Sequence, residues 1–339
     1  MARSIPPTDT GKRYGSSPEQ PMDPVDPMEP MDTFIPTHPT DSVTENEAPE
    51  QIIAVRRNPW KVALKQLVES KAALVSACFI LMLVMLALFA NVIAPHDPQA
   101  MSLVDRMLPP AWNAEGDMRF LLGTDGQGRD ILSRIIHASQ MTLLVGVASV
   151  ILGGIVGVTL GLLAGYFGGW LDAILMRFTD LQLAFPSLLL GLIVMAIIGT
   201  GVLELVCVIA LAQWAFYARV VRSEAIKTRE LEFVQGAIAL GASNTRILLQ
   251  HILPNCVASM LIIASFSLAM AIYYEAALSF FGLGIPPAIP TWGNMLAGAR
   301  DIMLANFWAP VFPGIAITLT VLAFNLLGDW ARDFFDVKV

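Results

Sequence analysis

The sequence predicts an all-α membrane protein with six transmembrane helices. Three observations carry this: six apolar stretches long enough to cross a bilayer, a scarcity of charge, and basic residues gathered between alternate stretches. Of 339 residues, 55% are hydrophobic and only 14% charged, with a mean hydropathy of +0.62, whereas soluble domains carry about 25% charged residues. A spanning helix needs roughly 20 apolar residues. The stretches that qualify are Ala72 to Ala94, Met141 to Tyr166, Leu181 to Thr200, Val202 to Val221, Cys256 to Phe281 and Ala309 to Gly328.

Before the first stretch lies a segment rich in Pro, Met and Asp, as in MDPVDPMEPMD from Met22 to Asp32. Such a composition cannot bury enough apolar surface to fold, so residues 1–55 are expected to be a disordered tail. The first thirty residues hold no apolar run behind their few basic residues, so they do not read as a signal peptide. Much of the formal charge of -7 lies in this tail, and no nucleic-acid partner is expected. Residues 56–339 form the six-span domain. In the second stretch Gly153, Gly157 and Gly161 recur every fourth residue, a spacing that lets another helix approach closely. The third and fourth stretches, separated only around Gly201, should form a tight helical hairpin with Glu204 near its turn.

Orientation follows from Lys and Arg, which concentrate on the cytoplasmic side. One side carries Arg56, Arg57, Lys61, Lys65, Lys71, Arg177, Arg219, Arg222, Lys227, Arg229, Arg246, Arg332 and Lys338; the other has only Arg106, Arg119, Arg129, Arg134 and Arg300. Both termini are therefore expected in the cytoplasm, with 95–140 an external loop and 222–254 a cytoplasmic one. The cytoplasmic loop reads as two short helices, Glu230 to Leu240 and Ser243 to Leu253. Gly241 supplies left-handed turn geometry, Ser243 is a candidate N-cap, and Pro254 is expected to stop the second helix. In the first helix Phe233, Val234, Ala237, Ile238 and Gly241 form one apolar flank. An apolar flank outside the bilayer needs a protein surface to cover it.

The string ELEFVQGAIALGASNTRILLQHILPN, Glu230 to Asn255, resembles the cytoplasmic loop shared by permeases of binding-protein-dependent ABC importers, whose pattern is EAA, then G, then I-x-LP. Ala237, Gly241, Ile252, Leu253 and Pro254 match it; Gln235 and Gly236 depart from it, standing where the family has Glu and Ala. Four further strings resemble the C-type subunit of dipeptide and oligopeptide permeases: LGTDGQGRDILSR from Leu122, LLAGYFGGWLDAILMRFTD from Leu162, LSFFGLG from Leu278 with PTWGNML from Pro290, and FPGIAITLTVLAFNLLGD from Phe312. The resemblance covers the chain from about Lys61 to Asp336. It implies a type I ABC importer permease fold in a bacterial inner membrane, in contact with lipid. It also implies a second homologous permease, two cytoplasmic ATPases that bind ATP and Mg, and an external binding protein that delivers peptide. Relatives handle nickel or glutathione with the same machinery.

Several chemistries are disfavoured. A phosphate-binding loop needs G-x-x-x-x-G-K-[ST], but the only Gly-Lys pair, Gly11-Lys12, is followed by Arg13. The four histidines, His38, His96, His137 and His251, fall outside the spans, and Cys78, Cys207 and Cys256 lack metal-ligand spacing and read as core residues. No catalytic residue, metal site or cofactor of this chain's own is expected. Glu275 is the clearest ionisable residue inside a span. Such residues face protein or water, so it either bonds a helix in the outer half or contributes to a gate or the translocation path. Asp180 and Arg177 suggest an ion pair where the third span begins. An ion-coupled secondary transporter would couple through intramembrane carboxylates or broken helices at mid-membrane, and this sequence offers one off-centre Glu275; a receptor or scaffold would not need a two-helix cytoplasmic loop.

Overall fold

A short helix, α1 (Pro59–Glu69), leads into α2 (Lys71–Leu88), whose first turn is capped by the Ser70 hydroxyl accepting from the Ala73 N–H. These are the first elements of the computed structural model, which describes residues 59–336. The tail expected over 1–55 lies outside the described residues. A single turn, α3 (Ala90–Ile93), extends α2 outward.

The second span is a longer rod than its apolar run suggested. Asp130 accepts from the Ser133 N–H at 2.9 Å and starts α4 (Ile131–Phe167), 37 residues long, or about 55 Å at 1.5 Å per residue. It begins ten residues before Met141, so the end of the expected external loop, 95–140, is already helical. Gly168 and Gly169, with φ of +63° and +58°, then reverse the chain into α5 (Gly169–Ala184).

The third span departs from expectation. Leu181 to Thr200 is not one helix: α5 ends at Ala184, and α6 (Ser187–Ile198) leaves at 90° to it. Pro186 offers no N–H and drives Phe185 into the extended region, φ -88° and ψ 136°. The 12 residues of α6 reach about 18 Å, too short alone for a hydrocarbon core of about 30 Å. Among the described residues five helices are long and apolar enough to span, and the count is six if the bent α5–α6 pair is one span.

The next span, α7 (Val202–Arg229), continues eight residues past Val221 into the loop expected over 222–254. There follow α8 (Glu232–Ala239), the turn α9 (Asn244–Arg246), a π-helical stretch over Ile247–Ile252, α10 (Leu253–Phe280), α11 (Trp292–Ala299), a 3₁₀ turn at Arg300–Ile302, and α12 (Trp308–Asp336). Apart from one isolated bridge between Thr124 and Asp130, no strand occurs among the described residues.

The glycine spacing in α4 is used as expected, against α7. A Cβ on Gly161 would lie 2.6 Å from the Ala218 carbonyl oxygen, one on Gly165 would lie 2.7 Å from that of Arg222, and one on Gly157 would overlap the Trp214 carbonyl. The two backbones therefore meet along three helical turns. Cys256 is buried, whereas Cys78 and Cys207 are exposed on the surface of the chain, so the core placement expected for all three holds for one.

The segment before α4 folds onto its N-terminal turns. Arg134 donates to the Pro98 carbonyl at 3.2 Å, Trp292 Nε1 donates to the Ile135 carbonyl at 3.1 Å, and Asn306 Nδ2 donates to the Thr124 carbonyl at 2.9 Å. Ile131, Ile272, Trp292 and Phe324 form the core beneath this cap. At its rim the Arg119 guanidinium holds the Asp117 carboxyl below the usual carboxylate range.

Candidate functional site

The loop between α7 and α10 is ordered by backbone bonds at its joints. Glu230 ends α7, its N–H bonding the Lys227 carbonyl at 3.2 Å, and Leu231 starts α8. At the other end Ala242 N–H bonds the Ala237 carbonyl at 3.1 Å and Gly241 N–H bonds that of Ile238 at 2.9 Å, with Gly241 at φ +77°. This pair is a Schellman cap, which calls for a left-handed residue and so favours glycine. Ser243 then caps α9, accepting from the Arg246 N–H.

The apolar flank of α8 divides in two. Val234 is completely buried in a cluster that includes Tyr217, Val221, Ile247 and Ile252, whereas Phe233 is 49% and Ile238 38% exposed. The chain thus covers Val234 itself, correcting the expectation of a wholly uncovered flank. Ala237 is half-buried, while Gln235, Gly236 and Gly241 are exposed. Leu231, Leu240 and Leu249 are exposed as well, and the Phe233 ring lies 6.2 Å from that of His251.

Pro254 does not stop the second helix. It occupies the first turn of α10, directly after the π-helical Ile247–Ile252, and the chain stays helical from Asn244 to Phe280. A proline removes one i→i−4 bond and its ring crowds the preceding turn. A wider π turn accommodates it without breaking the rod. Ile252 is buried, Leu253 half-buried and Pro254 exposed.

Bonds that no sequence pattern announces tie this loop to the spans. Arg229 Nη1 donates to the Tyr166 carbonyl at 2.8 Å and its guanidinium lies 5.7 Å from the Tyr166 ring centroid. The Tyr166 hydroxyl donates to Asn244 Oδ1 at 2.8 Å, and Gln235 Nε2 donates to the Arg229 carbonyl at 2.8 Å. Only the lack of helical partners for the last carbonyls of α4 and α7 could have signalled these bonds in advance. Nearby, Asp180 pairs with Arg219 at 2.6 Å rather than with Arg177, and Asp172 pairs with Arg222.

Glu275 sits far from the loop, near the C-terminal end of α10. It is fully buried; the Ser279 hydroxyl donates to it at 3.0 Å and the Thr142 hydroxyl lies at 3.5 Å. A cavity of about 390 Å³ opens instead between α6, α7 and α10, lined by Gln213, Phe216, Phe266, Ser267, Met270 and Tyr274 among others. Gln213 and Ser267 belong to its polar lining, and Glu275 does not line it.

The bundle of apolar helices with its ordered loop between α7 and α10, taken with the family matches, identifies a membrane permease of an ABC importer. The chain belongs to the family of binding-protein-dependent transport system inner membrane components, whose model matches residues 157–339. A second model, the N-terminal transmembrane domain of oligopeptide transport permease C, matches residues 58–110. The chain is 40% identical to the di/tripeptide transport system permease protein DppC of Pseudomonas aeruginosa, over 83% of this chain and 93% of that one. It is 39% identical to the glutathione transport system permease protein GsiD of Pectobacterium atrosepticum, over 84% and 92%. It is 38% identical to the dipeptide transport system permease protein DppC of Alkalihalophilus pseudofirmus, over 83% and 91%.

Proposed function

We propose that this permease carries dipeptides or short oligopeptides across a bacterial inner membrane, driven by ATP that partner subunits bind and hydrolyse. Two relatives named for dipeptide or di/tripeptide transport, matched over nearly their whole length, support the cargo class. The relative named for glutathione supports the same machinery acting on a tripeptide. Both termini and the loop at 222–254 face the cytoplasm, in keeping with the bias of basic residues. A second homologous permease completes the pathway, and an external binding protein delivers the peptide to the cap above α4.

The observation that carries the mechanism is the split flank of α8, with Val234 buried beneath while Phe233 and Ile238 stay open. A helix held from below and apolar above is a foot for another protein, and here that protein is the ATPase. When the ATPases close on ATP and Mg, force enters through Phe233 and Ile238, and the rigid Gly241 turn passes it to α10. Glu275 contributes to the outer end by joining α10 to α4, not by lining the path. The peptide passes beside Gln213 and Ser267, a mostly apolar wall with a few polar groups, as suits varied side chains.

Sealed vesicles holding the complete transporter test this reading. Uptake of a labelled dipeptide should stop with vanadate and persist with an ionophore. Uptake that an ionophore abolishes and vanadate spares would replace ATP drive with ion coupling.

A further inference from the structure

The loop is fastened at two points, one on each side of Gly241. On the first side, Gln235 of α8 donates to the carbonyl of Arg229, the last residue of α7. On the second, Asn244 of α9 accepts from the Tyr166 hydroxyl, which belongs to the last turn of α4. Arg229 joins the two by donating to the Tyr166 carbonyl and lying over its ring. The last carbonyls of a helix lack intrahelical partners and carry the negative end of its dipole. The Arg229 guanidinium, donating to a carbonyl at the end of α4, and the Gln235 amide, donating to the last carbonyl of α7, meet both needs.

Behind this joint, α4 and α7 share a glycine-lined contact from Gly153 to Gly165 that leaves no room for a Cβ between their backbones. At its far end α4 carries the external cap through Asp130, Arg134 and Ile135. One rod about 55 Å long thus runs from the cytoplasmic loop to the outer surface. From these contacts we infer that Gln235, Arg229 and Tyr166 form the joint through which the loop moves α4, and that position 235 requires a side chain able to donate. Glutamate, which the family pattern carries there, cannot donate to the Arg229 carbonyl when ionised, and it would draw the guanidinium away from Tyr166. In this chain a return to the family residue therefore weakens coupling.

The inference rests on the loop being the ATPase contact, so its test separates the two. Gln235→Glu, Gln235→Leu and Tyr166→Phe are placed in the complete transporter, and three quantities are read: ATPase co-purification, peptide taken up per ATP hydrolysed, and amide exchange across 232–247 in the purified permease. Tyr166→Phe keeps the ring and carbonyl and loses only the bond to Asn244. All three variants should retain the ATPases, exchange faster, and lose on the order of fivefold in uptake per ATP, the factor one net hydrogen bond carries. Unchanged exchange and uptake ratio in the three would overturn the joint. A loss confined to Gln235→Glu would assign the effect to charge and overturn the donor requirement. Loss of the ATPases from all three would make these residues part of the docking surface rather than of transmission. If the unmodified permease itself holds no ATPase, the docking reading fails, and amide exchange alone then decides the joint.

Discussion

Val234 and Phe233, adjacent in α8, lie on opposite sides of a boundary: Val234 is buried against the permease's own spans, and Phe233 is half exposed beside His251. Neighbours in a helix point about 100° apart, so one short helix both anchors itself and offers a surface.

This contrast separates two substitutions. Phe233→Ala should leave the permease as stable as before and weaken ATPase association by about 1–2 kcal/mol, from the ring surface still open to burial. Val234→Ala should instead destabilise the loop, by about 1–2 kcal/mol. Detergent melting curves and ATPase co-purification distinguish the two; equal effects on both readouts would contradict the division of the flank.

Gly241→Val tests the turn. A Cβ there meets nothing within 4 Å, so within this chain the cost is backbone strain alone, about 1–2 kcal/mol for a left-handed residue. The spans should insert normally while ATPase association falls roughly tenfold, as measured by co-purification against a titrated ATPase. Wild-type association would show that the angle of the turn does not matter.

Glu275→Gln retains groups that can bond Ser279 and Thr142 and should keep assembly and uptake near wild type. Glu275→Leu strands both hydroxyls in the interior, at a cost of about 1–3 kcal/mol, and should lower the detergent melting temperature. A Gln variant that melts normally yet fails to transport would return Glu275 to a gate.

Gly157→Leu forces side-chain atoms into the Trp214 backbone. Overpacking of this kind costs about 1–3 kcal/mol or more, and the expected result is a permease that inserts but aggregates on size-exclusion chromatography. A monodisperse variant would mean that α4 and α7 can separate freely.

Much of this architecture is legible in the sequence because apolar length and glycine spacing act locally. Six spans, the α4 glycine face, the Gly241 turn and the Ser243 cap each depend on residues a few positions apart. The misreadings came from proline and from tertiary contact. Pro186 lies inside an apolar run that hydropathy treats as continuous, yet it turns the chain by 90°. Pro254 was expected to end a helix, and the π turn before it absorbed the lost bond. The joint at Tyr166, Arg229 and Gln235 links residues up to 69 positions apart, and Val234 is buried by Tyr217 and Ile247, which no helical period on α8 could announce.

The most direct test of the central claim is site-specific photocrosslinking from the loop in a transport-active complex. A photoreactive residue at position 233 or 238 should crosslink to an ATPase subunit, and the same residue at exposed Leu203, near the opposite end of α7, should not. Transport-active complexes in which neither 233 nor 238 reaches an ATPase would contradict the claim that this loop is where the permease receives its drive.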